Sequence, residues 1–96
     1  MKLANAVSKI AELPLVLEQY GIPHKNVLSV QYNYGALDDA DILVNLHQKE
    51  NIQKLGICEE EKTIGHDDAN WTHFRIVKDG ISFVCWERES QNEAIA

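Results

Sequence analysis

The stretch that decides the fold is Trp71-Thr72-His73-Phe74-Arg75-Ile76-Val77-Lys78-Asp79-Gly80-Ile81-Ser82-Phe83-Val84-Cys85-Trp86-Glu87. Asp79-Gly80 is a dipeptide that a two-residue primed turn favours, because both positions take positive φ. A turn there sets Lys78 against Ile81, Ile76 against Phe83 and Phe74 against Cys85, so one face of the hairpin is apolar. The other face carries Trp71, His73, Arg75 and Val77 against Ser82, Val84, Trp86 and Arg88, side chains suited to contacts. A slip of one residue would set Arg75 against Phe83 and mix the two faces, so the pleat selects this register.

Upstream, apolar residues between positions 3 and 20 recur at helical spacing, with Leu3, Val7 and Ile10 in one line and Ala6, Leu13, Leu17 and Tyr20 beside it. Pro14 removes the hydrogen bond to the Ile10 carbonyl, which predicts a kink or two shorter helices with Pro14 in the first turn of the second. Gly21 suits a left-handed cap, and Ile22-Pro23 leads the chain away. From Val27 the period becomes two, with Leu28, Val30, Tyr32 and Tyr34 on one side and Val27, Ser29, Gln31 and Asn33 on the other. After a turn over Gly35 to Ala40, the run Asp41 to His47 alternates again, Ile42, Val44 and Leu46 inward, and these two runs are expected to pair as a hairpin. Lys49 to Leu55 reads as a short helix with Gly56 just past its end. Cys58 to Asn70 has no clear period and reads as an acidic connection, long enough to be either functional or mobile.

The order α-β-β-α-β-β predicts an α+β two-layer sandwich, a four-stranded antiparallel sheet with both helices on one face. Residues 1–88 form the single domain that a chain of 96 residues supports, and the tail 89–96 is expected to fray. The second sheet face would then be uncovered, displaying Gln31, Asn33, Leu43, Asn45, His47, His73, Arg75, Val84 and Trp86. Trp and Arg give much contact energy for little ordering entropy, so such a face suits binding. The alternative is that Trp86 is covered by the tail or by Trp71.

Apolar residues make up 45% of the chain and charged residues 25%, the balance of an ordinary globular protein. There is no run long enough to span a membrane, and the first residues lack the apolar core of a signal peptide, which points to the cytoplasm. In that reducing compartment Cys58 and Cys85 are expected to be free thiols. The net charge of −6 is uneven: residues 1–34 hold three basic and two acidic side chains, the remainder six basic and thirteen acidic. Asp38, Asp39 and Asp41 fall in one turn, and Glu59, Glu60, Glu61, Asp67 and Asp68 in one connection. Such a field opposes phosphate backbones, so direct nucleic-acid binding is not expected.

Cys58, His66, His73 and Cys85 hold the atoms of a tetrahedral zinc site, but their spacing matches no usual pattern, and the hairpin register sends Cys85 and His73 to opposite faces. His66-Asp67-Asp68 could orient an imidazole or, with Asp38, Asp39 and Asp41, hold a divalent ion, yet sequence supplies adjacency without convergence. Glutamates beside Cys58 raise its thiol pKa, which disfavours a nucleophile. His24 and His47 read as surface or packing residues. No P-loop, GxGxxG, GxSxG or HExxH occurs. No enzyme, cofactor or metal is therefore expected.

The layout of helix, hairpin, short helix and closing hairpin, ending in His73 to Trp86, resembles that of small accessory proteins carried by bacteriophages and other mobile elements. That resemblance implies a protein that binds a host or phage macromolecule, with inhibition of host defence nucleases as one role, and it implies no catalytic residue. The resulting expectation is an acidic protein-binding or regulatory module. Glu59, Glu60, Glu61, Asp67, Asp68, Asp38, Asp39 and Asp41 would steer it to a basic, nucleic-acid-binding surface of a partner protein, and His73, Arg75 and Trp86 would supply contacts. The alternative is a sheet-mediated homodimer with a structural or small-ligand role.

Overall fold

The computed structural model describes residues 2–33 and 41–89. In chain order, helix α1 (Leu3–Gln19) and a 3-10 turn (His24–Asn26) lead to strand β1 (Val27–Tyr32), β2 (Ile42–Leu46), helix α2 (Lys49–Gln53), β3 (Glu59–Ile64), β4 (Asn70–Lys78) and β5 (Ile81–Arg88). The turn containing Asp38 and Asp39, and the tail from residue 90 on, lie outside the described residues. The class is α+β. The sheet, however, has five strands, in the order β1-β2-β5-β4-β3, and it is mixed.

The closing hairpin takes the register its sequence predicts. Asp79 and Gly80 adopt φ of 52° and 77°, and Ile76 faces Phe83, Phe74 faces Cys85 and His73 faces Trp86. β1 and β2 pair antiparallel as expected.

Two expectations about the sheet are overturned. The first is the strand count, because the acidic connection contains β3, antiparallel to β4 with Glu59 against Arg75 and Ile64 against Asn70. Every β3 side chain is exposed, so this edge strand lacks the apolar alternation by which a half-buried strand is recognised. The second is the all-antiparallel pairing: β2 lies parallel to β5, with Val44 beside Phe83. After β2, α2 crosses the sheet to the far edge, and β3, β4 and β5 return step by step until β5 meets β2. A parallel pair of this kind needs a crossover, and α2 supplies it.

The core lies on one side of the sheet. Ile42, Val44, Leu46, Phe74, Ile81, Phe83 and Cys85 meet Ala6, Leu13 and Leu17 of α1 and Ile52 of α2 in one cluster, joined by Ile22 and Leu55. Phe83, 1% exposed at the centre, contributes about 1.5–3 kcal/mol by its burial. Both helices thus cover the same face.

Helix α1 is one element from Leu3 to Gln19 with Pro14 inside it, so of the two expected outcomes the division into shorter helices does not occur. Of the two apolar lines expected, that of Ala6, Leu13 and Leu17 is buried, whereas Leu3 and Val7 of the other are 61% and 56% exposed and only Ile10 of it packs on the core. The helix ends as Gly21 predicts: at φ 69° its N–H donates to the Glu18 carbonyl, while the Ile22 N–H donates to Leu17 at 2.9 Å. Leu17 and Ile22 are both buried, completing a Schellman cap. In β1 a register shift between Val27 and Ser29 turns Val27 toward the core and leaves Leu28 66% exposed, reversing the sides expected for these two. A bulge inserts one residue and so inverts the alternation locally.

Polar ties hold the helix layer down. Lys9 Nζ donates to the Asp79 carbonyl at 2.7 Å, and the Lys78 ammonium lies 5.1 Å from the Tyr20 ring centroid. The Lys49 N–H at the start of α2 donates to the Glu87 carboxylate at 2.8 Å. Lys54 Nζ donates to the Gly21 carbonyl at 2.8 Å, joining α2 to the end of α1. Among the described residues no helix is long and apolar enough to cross a membrane.

Candidate functional site: the sheet face opposite the helices

On the face away from the helices, register alone assembles the surface. Glu59, Glu61 and Thr63 of β3 stand beside Arg75, His73 and Trp71 of β4, and these beside Val84, Trp86 and Arg88 of β5. Leu43 and Asn45 of β2 continue the face next to Ser82 and Val84, and Asn45 Nδ2 donates to Ser29 Oγ of β1 at 2.8 Å.

The face is not uniformly open. Val84, expected on display, is 5% exposed, and Ser82 2%. Both are short side chains of the middle strand, flanked on neighbouring strands by Arg75 and Asn45 and by Val77 and Leu43. Toward β3 the surface opens. Trp86 is 50% exposed and its ring lies 4.2 Å, centroid to centroid, from that of His73 at a tilt of 36°. Burial holds the His73 imidazole below its ordinary pKa; Glu61 raises it and Arg75 lowers it further. Arg75 reaches Glu59 at 3.5 Å.

The tight turn between β3 and β4 organises the other end of this surface. The Asp68 N–H donates to the Gly65 carbonyl and the Gly65 N–H to that of Ala69, with Asp68 left-handed at φ 59°, as in a three-residue hairpin loop. Asp67 is its hub. One carboxylate oxygen accepts from the Ala69 N–H and from Trp71 Nε1, and the other from Arg88 Nε, each at 3.1 Å. The bonds from Trp71 and Ala69 hold the carboxyl below its usual range, with a smaller contribution from Arg88. Trp71 packs so closely on the turn that a Cβ at Gly65 would lie 2.6 Å from its Nε1. Thr63, Ile64, Gly65, His66, Asp67, Trp71 and Trp86 line an open groove of about 630 Å³. A second depression, about 430 Å³, is bordered by Glu59, Glu60, Glu61, His73 and Arg75.

The expected site residues therefore separate. Glu59, Glu61, His73, Arg75 and Trp86 come together on one face, whereas Glu60 points to the other side of β3. Asp67 holds the turn rather than presenting a bare charge, and Asp68 is exposed beside it. Asp41 sits at the start of β2, its carbonyl accepting from the Asn33 N–H; Asp38 and Asp39 lie outside the described residues. Thr63 was missed as a surface-forming residue, and so was the anchoring of Trp71 by Asp67. The signals present were the β-branched pair Thr63-Ile64 before Gly65 and an aspartate four residues before Trp71.

Cys85 is buried in the helix-side core, its thiol pushed up to about 12 chiefly by burial. Burial and Glu60 raise that of Cys58, whose Sγ–H faces the Ile52 carbonyl at 3.6 Å. Both cysteines are free. They adjoin the helix layer while His73 lies on the opposite face, and among the described residues no three metal-ligating side chains converge. Comparison of the chain with protein-family models, curated proteins and solved structures returns no match.

Proposed function

We propose that this protein is a protein-binding module that docks through the sheet face opposite its helices. The observation that carries the reading is the pair of indoles at the β3 end of that face: Trp71 anchored to Asp67 and Trp86 half exposed beside His73. Aromatic side chains at the surface supply contact energy at a low ordering cost. The acidic edge beside them favours a basic partner surface, although Arg75 and Arg88 offset part of that charge through Glu59 and Asp67. The steering charge then rests mainly on Glu60, Glu61 and Asp68.

Immobilised protein is expected to retain a partner from lysate that Trp86→Ala loses and that a substitution on the exposed side of α1, Val7→Ser, keeps. Equal capture by all three proteins, each folded by circular dichroism, contradicts the reading. A second reading, a sheet-mediated homodimer, draws support from β1, an edge strand without a charged residue in which Leu28 and Val30 are 66% and 37% exposed. A sedimentation coefficient that stays monomeric at rising concentration removes it.

A further inference from the structure

The groove between Trp71 and Trp86 adjoins β3, and β3 is the acidic edge of the sheet. We infer that the partner is engaged as an extended basic segment that adds a strand to β3 and seats one apolar side chain in the groove, an inference that rests on the contact-face reading above.

Among the described residues β3 pairs with β4 alone. Backbone donors and acceptors along its outer edge are therefore placed to take a further strand, as in recognition by strand addition. All six of its side chains are exposed, so none blocks the approach.

Charge selects the occupant. The strand carries Glu59, Glu60 and Glu61 against Lys62, and opposite charges side by side on neighbouring strands stabilise pairing while like charges oppose it. A second copy of β3 would bring the same excess of acid. Nucleic acid would be opposed by it as well. A basic strand is favoured.

Position along the strand adds a second element of recognition. Alternate side chains of an incoming strand stand beside Glu59, Glu61 and Thr63 on the indole-bearing face. Cations are favoured beside the two glutamates. Beside Thr63, a short side chain on the rim of the groove, an apolar side chain can reach over to Trp71 and Trp86. The groove is already formed, since Trp71 is fixed by its bond to Asp67 and its packing on Gly65. The recognised pattern is thus basic, any, basic, any, apolar.

The test uses the isotope-labelled protein and a short peptide alternating lysine with threonine, with leucine replacing one terminal lysine, made in both chain directions. One direction is expected to shift the backbone amides of residues 59–64 together with the indole N–H signals of Trp71 and Trp86. N-methylation of one alternate set of peptide amides abolishes binding and methylation of the other set is tolerated, because only one set faces β3. Replacing the lysines by glutamate, or Glu61→Lys in the protein, weakens binding by about tenfold. Equal binding of both methylated peptides, or shifts confined to the indoles, overturns strand addition and leaves the contact face standing. Absence of shifts at both the edge and the indoles for every peptide also overturns strand addition, and the contact face then stands or falls on the capture experiment with Trp86→Ala.

Discussion

His73 shows how much a single side chain can depend on its neighbours. Its ring packs against that of Trp86 at a tilt, and burial lowers its pKa below the ordinary value of 6.5. The unfolded chain therefore takes up the proton first as pH falls. The stabilisation from the neutral ring is complete above 6.5 and is lost as pH drops through the folded-state pKa. Chemical denaturation of wild type and His73→Gln is expected to give a constant stability difference above pH 7, shrinking toward pH 5 as the wild type alone loses this contribution. Parallel curves would contradict the assignment. Gly65 makes the complementary case. A methyl group there collides with the Trp71 indole, so Gly65→Ala is expected to displace the ring, shift its Nε1–H resonance away from the Asp67-bonded position and cost about 1–3 kcal/mol. An unchanged indole signal would contradict the packing.

Among the elements, those that bury one face were legible in the sequence and those that do not were hidden. The closing hairpin was readable because Asp79-Gly80 and the apolar set Phe74, Ile76, Phe83 and Cys85 agree on one register, and α1 because Gly21 can close it. The strand β3 was not, since neither of its faces is buried and Glu59 to Lys62 look like any solvated loop. Pro14 suggested a break that tertiary packing of Leu13 and Leu17 overrides. In β1 the inserted residue at Val27 to Ser29 exchanged the sides of two apolar residues, and no composition signal marks a bulge whose residues are ordinary. For the surface, His73, Arg75 and Trp86 followed from the hairpin register. The side of Trp71 followed from it too, but its Asp67 anchor required the β3–β4 turn, which depends on a strand that periodicity does not mark.

For the molecule as a whole, one asymmetry governs the account: helices shelter Phe83, Phe74 and Cys85 on one side of the sheet, and the other side ends at β3 in two aromatic rings and a rim of acid. The parallel β2–β5 contact makes this arrangement, because it sets the β1–β2 hairpin and the β3–β4–β5 meander side by side with a shared core face. Alternation in β2 and β5 is compatible with either direction of pairing, so the sequence left it open. Hydroxyl-radical labelling of the isolated protein tests the asymmetry most directly. Trp86 is expected to be oxidised rapidly while Phe74 and Phe83 stay protected until the protein unfolds; protection of Trp86 together with rapid labelling of Phe83 would contradict the account.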